Sequence, residues 1–523
     1  MLGEFGHGGR AAERGEGVHE FLPDRRREQA DLLGISDGAG IEGGPGLRFH
    51  CLNVSLYFNK NTTPPDTASM NPAKFLFIAL CFLIGSAAAC QAAPAGDRFT
   101  AAQLDADMDA LEAGIGATHP KLAHSVDPQA LKAAIEGLRP YLVDGLDRDG
   151  AWRALSTLNA VFADGHLFVG FPSWRDEVAA HRAQGGKLFP FEVAVDADGT
   201  VRVLAELGGA PSDVSGRVIA SINGDPADAI ARRLLAHVHG DSPRFRAGIL
   251  SQRWWFYYWK LVGDPSHFDI RWVDASESPL RREASAALPS MLAAEDDFDQ
   301  QFQFELLPGG AARLAVKTFA WHEPERFFGF TRQAFERMHA AGTHTLLIDL
   351  RGNGGGDDSM WMQGLMPYLA DERYRWASHY TKRVLRPDPA KGERIGDVVE
   401  GTVETWTPAQ LDHPLRFHGR VAVLVGTTTY SSAVLFANTM QDFGFATIIG
   451  EGASVRSTQS GGVQAIVLPN TGLTLWSPRF ILTRPSGRAE PEWLTPDHAV
   501  ADDPLQPGAM VDAALAEDAA MRE

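Results

Sequence analysis

The sequence predicts an α/β protein with a mainly parallel core, an N-terminal helical unit and a β-rich second domain. Residues 300–510 alternate apolar, strand-like runs with helix-like segments, which is typical of a parallel sheet. Two runs break abruptly into small residues and then into a helix-like segment: L-L-I-D-L-R-G-N-G-G-G at 346–356 and V-A-V-L-V-G-T-T-T-Y-S-S-A at 421–433. A parallel sheet exposes backbone amides and reactive side chains at such strand ends.

Composition restricts both the domain count and the available chemistry. A chain of 523 residues predicts two or three domains, and a net charge of −18 argues against nucleic acid and anionic membrane surfaces as partners. The three cysteines, Cys51, Cys81 and Cys90, all lie in the first ninety residues. The rest of the chain therefore has no thiol nucleophile, so any nucleophile there is a hydroxyl, an amine or a carboxylate.

The N-terminus predicts export. Residues 75–89 form an apolar run preceded by Lys74 and Met70, which suits a signal peptide better than a bilayer-spanning helix. S-A-A-A-C resembles a bacterial lipobox, which makes Cys90 a candidate lipid anchor, and ordinary signal-peptidase cleavage nearby is the alternative. We expect residues 70–96 to be a signal segment and linker, and residues 1–69 to be disordered or upstream of the true start. The expected location is the bacterial periplasm or cell envelope.

Three further segments follow. Residues 97–175 show helical periodicity, with a capping-box pattern at Thr100 and a helix stop at Asp164-Gly165. Residues 186–290 contain a predicted hairpin and a strand–turn–helix, I-A-S-I-N-G-D-P-A-D-A-I, that resembles a degenerate PDZ-like module. A β-rich insertion without a ligand role is the alternative. Residues 300–510 are the expected α/β core.

The second strand end offers a nucleophile. Ser431 and Ser432 stand at a predicted helix start, where the helix dipole stabilises an alkoxide and the next amide is free to donate. Taken alone, both serines could simply cap the helix. The glycines at 354–356 offer free amides, and they do not form a dinucleotide loop because Asp357 occupies the third glycine position. They suit a transient oxyanion.

A serine nucleophile needs a base. D-G-H places His166 just after a helix stop, although an isolated loop histidine is usually a surface group. A metal site is weakly supported, because there is no H-E-x-x-H motif and the pair His237 and His239 lacks a clear third ligand. E-P-E-W-L-T-P-D-H, which begins at Glu490, adds carboxylates near the end of the fold.

Together these motifs resemble the C-terminal-processing (tail-specific) serine protease family, including its tricorn-core-like branch. The matching elements, in order along the chain, are D-L-R-G-N-G-G at 349–355, T-Y-S-S-A at 429–433, M-Q-D-F-G-F-A-T-I-I-G-E at 440–451 and P-D at 496–497. The resemblance implies a crotonase/Clp-like core, peptidase activity on peptide or protein substrates and no cofactor.

Carried over by position, the resemblance puts the nucleophile on Ser431 and the oxyanion hole on the amides of Ser432 and Gly355. One branch uses a lysine base where this chain has Arg456, which stays protonated and cannot act as a base. The tricorn-like branch implies His166 as the base and Glu490 as its orienting carboxylate. That branch has a serine before the histidine, whereas this chain has Gly165.

The resulting hypothesis is an exported serine peptidase that uses Ser431 and His166. Two alternatives remain open at the level of sequence. One is a non-catalytic protein that binds hydrophobic ligands or peptides on the same fold, which is suggested by Val434 where the family has a glutamate. The other is a crotonase-like acyl-CoA enzyme, which shares the glycine amides but needs no distant histidine.

Overall fold

A computed structural model describes residues 98–274 and 278–520. The predicted signal segment, residues 70–96, the candidate anchor Cys90 and residues 1–69 lie outside these ranges. No helix in the described ranges combines the length and the apolar composition needed to cross a bilayer.

Helices dominate the first described region: α1 (Ala101–Thr118), α2 (Pro128–Leu138), α3 (Arg148–Leu155) and α4 (Trp174–Ala183), with strand β1 (Phe168–Gly170) before α4. The capping box predicted at the start of α1 is present: the Thr100 hydroxyl accepts from the Gln103 amide and the Gln103 side chain accepts from the Thr100 amide. His166 lies two residues before β1. Pairing of β1 with a later strand therefore fixes where His166 stands.

The middle region mixes strands and helices: β2 (Phe191–Val195), β3 (Val201–Glu206), β4 (Ile219–Ile222), β5 (Asp225–Pro226), α5 (Ala227–Leu235), α6 (Pro243–Leu261), β6 (His267–Trp272), β7 (Leu280–Glu283), α7 (Ser290–Glu295) and α8 (Phe298–Gln301). The predicted hairpin is β2–β3, and the predicted strand–turn–helix is β4 followed by α5. The region is less β-rich than predicted, because α6 contributes 19 helical residues. The sequence of α6 is rich in aromatic residues and shows no clear amphipathic pattern, because both faces of the helix are largely buried.

The last region holds the main sheet and its helices: β8 (Phe302–Leu307), β9 (Ala311–Val316), α9 (Pro324–Ala341), β10 (Thr345–Asp349), α10 (Asp358–Gly364), α11 (Met366–Leu369), β11 (His379–Arg383), β12 (Val398–Thr402), β13 (Arg420–Val425), α12 (Ser432–Asp442), β14 (Thr447–Gly450), β15 (Gln459–Gly461), β16 (Gln464–Val467), β17 (Thr474–Ser477), β18 (Phe480–Leu482), β19 (His498–Ala499) and α13 (Ala509–Ala520). The helical segment after β10 is split into α10 and α11, because Pro367 cannot donate the hydrogen bond that a continuous helix requires.

Six strands form the central sheet in the order β19-β14-β13-β10-β9-β8. All neighbours pair in parallel except β8 and β9, so the mainly parallel sheet expected from the βα alternation is present. Leu347 and Leu424 are fully buried and pack with Met510 of α13. Burial of each such side chain contributes roughly 1.5–3 kcal/mol. The sheet is thus a rigid base for the loops at its strand ends.

Two smaller sheets bring the N-terminal region to the core. One has the order β1-β17-β16, and the other has the order β12-β11-β18-β15. β1 pairs antiparallel with β17, with Phe168 opposite Trp476. β15, which contains Gln459 and Ser460, pairs antiparallel with β18. His166 and β15 both reach the loop that follows β13, because the His166 ring contacts Tyr430 and Gln459 of β15 accepts from the Ser431 amide.

Candidate active site

Ser431 occupies a strained turn between β13 and α12. Its backbone angles are φ 54° and ψ −125°, which non-glycine residues rarely adopt. The Ser431 amide donates to Oε1 of Gln459 at 3.0 Å, and its side chain makes no capping hydrogen bond. This turn leaves the Ser431 hydroxyl partly exposed at the N-terminal end of an 11-residue helix. A hydroxyl there is both accessible and favoured as an alkoxide by the helix dipole.

Ser432 has a different environment. Its hydroxyl is buried, donates to Oδ1 of Asp358 at 2.5 Å and accepts from Nε1 of Trp361 at 3.1 Å. Burial raises the pKa of Asp358 to about 6, and the hydrogen bond from Ser432 acts against that rise. The Ser432 side chain thus joins the starts of α10 and α12. Its backbone amide has no acceptor in the described ranges and is free to bind an oxyanion.

Gly355 lies directly against this turn. A Cβ added to Gly355 would lie 2.6 Å from Cβ of Ser431 and 2.9 Å from the Ser432 nitrogen, and its φ is +99°, so only glycine fits. The Gly355 amide donates to Oδ1 of Asn353 at 2.8 Å, so in this structure it is not available to an oxyanion.

The next amide in the loop, that of Gly356, is free. The Gly355 carbonyl accepts from the Phe319 amide at 2.9 Å. Because a trans peptide points its C=O and N–H in opposite directions, the Gly356 amide faces away from Phe319. No acceptor in the described part of the chain takes it. In the loop beside Ser431, the Gly355 amide is therefore hydrogen-bonded and the Gly356 amide is free.

His166 stands on the other side of Tyr430, the residue before Ser431. The two rings have centroids 4.8 Å apart, and the His166 side chain is 11% exposed. Nδ1 of His166 lies 2.9 Å from Oγ of Ser460, and Ser460 donates its hydroxyl hydrogen to Oδ1 of Asp164 at 2.8 Å. Ser460 must then accept from His166, which places the ring hydrogen on Nδ1. Nε2 is left with a lone pair, as a base requires.

Asp164 is the buried acceptor at the end of this chain of hydrogen bonds. It is 1% exposed and also accepts from the His166 amide at 2.7 Å and from the Ser125 hydroxyl. Burial alone would raise its pKa, but electrostatic interaction with His166 and His124 and these hydrogen bonds, which favour the carboxylate, lower the pKa to about 2. Asp164 is therefore ionised near neutral pH. Beyond it, the Ser125 oxygen lies 2.8 Å from Nε2 of His119.

Burial chiefly lowers the pKa of His166, and the negative charge of Asp164 acts in the opposite direction. The imidazole is consequently neutral near pH 7. No hydrogen bond joins Ser431 to His166 within the described ranges. They are brought together by their neighbours, because Tyr430 contacts His166 while Gln459, next to Ser460, holds the Ser431 amide.

A second buried carboxylate, Asp241, holds Tyr430 against Gly165, and this contact explains why residue 165 is a glycine. Oδ1 of Asp241 accepts from the Tyr430 hydroxyl at 2.8 Å and from the Gly165 amide at 3.0 Å. A Cβ on Gly165 would lie 2.6 Å from the Tyr430 ring, so the serine that the tricorn-like branch has here does not fit. Burial, followed by the charge of Asp164, raises the pKa of Asp241 to about 6.

The structure does not bring Glu490 to the site. Glu490 is exposed, and no hydrogen bond or ion pair joins it to His166 in the described ranges, where Nδ1 of His166 is already paired with Ser460. Arg456 lies nearby but makes structural contacts: its side chain donates to the Ala163 carbonyl, and its amide donates to Asp241 at 2.9 Å. Within the described ranges, no three His, Cys, Asp or Glu side chains come together as a metal site.

A model of the family described as Peptidase family S41 matches residues 314–500. Residues 314–500 therefore form a peptidase S41 family domain. The resemblance to C-terminal-processing proteases is thereby confirmed, and the protein is a serine-type peptidase. The S41 domain contains Ser431, the glycine loop and Ser460, whereas His166 and Asp164 come from the helical region before it.

Solved structures support the same fold. The chain is 13% identical to mature CPAF complexed with lactacystin, over 80% of this chain and 98% of that chain, with a TM-score of 0.57. A second structure of mature CPAF matches 80% of this chain and 96% of that chain at 13% identity, with a TM-score of 0.55. Among curated proteins, none matches the chain by sequence. The protein thus has a mixed α/β fold similar to these structures.

The sequence patterns do not identify Ser460, Asp164 or Asp241 as site residues. They mark Asp164 only as part of a helix stop, two residues before His166. The signal that could have found it is the short spacing in D-G-H, which lets a carboxylate accept the amide of the histidine. Nothing local marks Ser460, because its contact with His166 spans 294 residues.

Proposed function

We propose that this S41 peptidase hydrolyses peptide bonds with Ser431 as nucleophile and His166 as general base. The observation that carries the proposal is the tautomer of His166. Because Ser460 gives its hydrogen to Asp164, His166 keeps its own hydrogen on Nδ1 and presents the basic Nε2. A histidine held in the other tautomer could not accept the serine proton.

The steps follow from this arrangement. Oγ of Ser431 attacks the peptide carbonyl while its proton passes to Nε2 of His166. The imidazolium formed is stabilised by the ionised Asp164 through Ser460. It then gives the proton to the leaving amine, and the acyl-enzyme forms. A water molecule attacks the acyl-enzyme by the same route and restores Ser431.

The oxyanion is assigned to backbone amides. The Ser432 amide stands at the start of α12 and has no internal partner, so it is the first donor. The family resemblance implies Gly355 as the second donor. Because that amide is bonded to Asn353, we assign the second donor to the neighbouring Gly356, with Gly355 providing the close approach.

Three further features belong to this proposal. We expect the core within residues 300–510 to be crotonase/Clp-like. We expect the segment 186–290 to be a degenerate PDZ-like module. This module would present substrate to the site formed by the helical unit 97–175 and the core. Peptide addition to the edge of β2 is hindered at Val195, whose amide donates to the Ser251 hydroxyl of α6 at 2.8 Å. Presentation by the exposed surface of α5 fits this better. Export, with Cys90 as a lipid anchor, is the expected context.

A fluorophosphonate probe tests the proposal directly, because it reacts only with a serine that a base activates. We expect stoichiometric labelling of Ser431 in the wild-type protein, none in Ser431→Ala and strongly slowed labelling in His166→Gln. A folded wild-type protein that the probe does not label would favour the alternative, a non-catalytic protein that binds hydrophobic ligands or peptides.

A further inference from the structure

Asp164 accepts hydrogen bonds on both of its carboxylate oxygens, and the relay to His166 uses only one of them. Oδ1 accepts from Ser460 at 2.8 Å and from the His166 amide at 2.7 Å. Oδ2 accepts from the Ser125 hydroxyl, whose oxygen lies 2.8 Å from Nε2 of His119. A second serine and a second histidine therefore stand on the far side of the carboxylate. We call Ser125 and His119 the second arm.

The hydrogen positions in the second arm follow from its contacts. Burial lowers the pKa of His119 to about 4, so near pH 7 its ring is neutral and carries one hydrogen. Ser125 gives its only hydroxyl hydrogen to Asp164, so the Ser125 oxygen must accept from His119. Nδ1 of His119 accepts from the Lys121 amide at 3.2 Å, which leaves the ring hydrogen on Nε2. Two independent contacts thus give the same tautomer, and the second arm donates toward the carboxylate.

The second arm is buried as deeply as the relay itself. Ser125 is fully buried, and His119 is 2% exposed. The turn that carries Ser125 is tied to the segment of Asp164 by the Ala163 amide, which donates to the Ser125 carbonyl at 2.7 Å. A buried carboxylate stays ionised only when protein donors replace the hydration that it has lost. The donor to Oδ2 is therefore as necessary to the charge of Asp164 as the donors to Oδ1.

The direction of the hydrogen bonds around Asp164 determines whether the base can work. An ionised Asp164 only accepts, so Ser460 must donate to it and accept from Nδ1 of His166. A protonated Asp164 could instead donate to Ser460, which would then donate to Nδ1 and leave the ring hydrogen on Nε2. His166 in that tautomer could not take the proton of Ser431. Activity therefore requires Asp164 to stay ionised wherever His166 is neutral.

We propose that His119 and Ser125 are positioning residues for the proposed peptidase reaction: by donating toward Oδ2 they hold Asp164 in place and ionised, so that its other oxygen accepts from Ser460. No hydrogen bond joins either residue to Ser431 in the described ranges, so they act through Asp164. The hydrogen bond from Ser125 favours the ionised carboxyl and so lowers its pKa. This role rests on the proposed function, which assigns His166 as the base.

The other charged groups near the second arm do not provide this donor. Arg456 comes close, but its side chain donates to the Ala163 carbonyl. The remaining titratable groups that interact with Asp164 or with His119 are His124, His166, His239, Asp241, Arg383 and Tyr430. Within the described part of the chain, none of them donates to Oδ2 of Asp164, which accepts from Ser125 alone.

Labelling of Ser431 by a fluorophosphonate probe reports on the base without a known substrate. Its rate should fall with decreasing pH as His166 becomes protonated. In Ser125→Ala, we expect the midpoint of this acid limb to rise by about 0.5–1 pH unit. Without the Ser125 donor, Asp164 binds a proton more readily, and while ionised it favours protonated His166 more strongly. Asp164→Asn should move the limb in the opposite direction.

Substitutions at His119 separate the hydrogen bond from simple packing. His119→Gln keeps an amide that can donate to Ser125, so its acid limb should match that of the wild-type protein. His119→Phe keeps a flat ring without a donor, and its limb should rise as in Ser125→Ala but by less. A purely structural role would change the melting temperature of these variants and leave the limb in place. The pair also carries the test if Ser125→Ala does not fold.

The matched control is a second buried serine–histidine pair. Oγ of Ser156 lies 2.8 Å from Nδ1 of His237 and donates to the Trp152 carbonyl at 2.5 Å, and the charged groups that act on His237 are arginines. Ser156→Ala removes a comparable hydroxyl that is not bonded to Asp164, so its acid limb should stay at the wild-type pH.

Two kinds of failure are distinguishable. Limbs that stay in place, or move to lower pH, in both Ser125→Ala and His119→Phe would overturn the role of the second arm while the wild-type limb remains. A wild-type protein that the probe does not label, or whose labelling does not depend on His166, would instead count against the peptidase proposal.

Discussion

Ser460 accepts a hydrogen bond from Nδ1 of His166 at 2.9 Å. The two residues are 294 positions apart, and β15 brings Ser460 to the histidine while β1 holds the histidine in place. The Ser460 hydroxyl passes this interaction to the ionised Asp164. The orientation of the proposed base therefore depends on a positioning serine from the S41 domain and on a carboxylate from the helical region.

Ser460→Ala should lower kcat/KM by about 10²–10⁴-fold, because the imidazole loses the partner that fixes its tautomer. Asp164→Asn should lower it by a similar factor. The measurement is the steady-state rate on a peptide that the wild-type protein cleaves. Ser457→Ala is the matched control, since its hydroxyl donates to the Pro491 carbonyl, outside the relay, and it should retain activity.

Glu490 provides the contrasting case. It is exposed and does not contact His166, so Glu490→Gln should change kcat/KM by less than about twofold, as surface substitutions do. A large loss in Glu490→Gln together with a small one in Ser460→Ala would restore the assignment made from the resemblance.

The sequence predicts the parallel sheet and both strand ends of the site, because these depend on local patterns. Buried strands read as continuous apolar runs, and the glycines at 354–356 and the serines at 431 and 432 follow them directly. The partners of His166 could not be predicted in this way. Ser460 lies in the three-residue strand β15, and its role arises from pairing with β18 and from steric exclusion of a serine at Gly165.

Alanine substitutions at the two adjacent serines should differ clearly in their effects on activity and on stability. Ser431→Ala should abolish hydrolysis and leave the fold intact, because its hydroxyl makes no hydrogen bond to the helix. Ser432→Ala should keep measurable activity, since its backbone amide remains. It should cost about 1–3 kcal/mol of unfolding free energy, because the buried Asp358 loses a donor. Thermal unfolding and peptide hydrolysis of both variants measure this, and the reverse ranking in activity would contradict the choice of nucleophile.

The pH profile should report the lowered pKa of His166. The base must be neutral, so kcat/KM should fall as pH decreases, and this acid limb should lie below pH 6.5 because burial lowers the pKa. The charge of Asp164 raises the pKa of His166, so Asp164→Asn should move the limb to still lower pH as well as reduce the plateau. Rate profiles between pH 4 and 9 measure both effects. A limb above pH 6.5, or one that Asp164→Asn moves upward, would argue against His166 as the base.

Export predicts a processed N-terminus. The apolar run 75–89 followed by Cys90 should direct cleavage, so the protein isolated from its native cells should begin at Cys90 or within a few residues of it. Intact-mass measurement gives the start directly, and a mass increase from acyl chains at Cys90 would identify a lipid anchor. A mature chain that retains Met1 or Met70 would exclude this processing.

The close packing of Gly165 against Tyr430, which contacts His166, requires a glycine at this position. Gly165→Ala would place a methyl group 2.6 Å from the Tyr430 ring, which contacts His166 and whose hydroxyl donates to Asp241. We expect a loss of about 1–3 kcal/mol in unfolding free energy from overpacking and a larger fractional loss of kcat/KM, because the displaced ring moves His166 away from Ser431. Gly116→Ala, on the exposed side of α1 with open space at its Cβ, is the control and should change neither quantity appreciably. If Gly165→Ala kept full activity and stability, Tyr430 would not be what positions His166, and Ser460 with Asp164 would have to hold it alone.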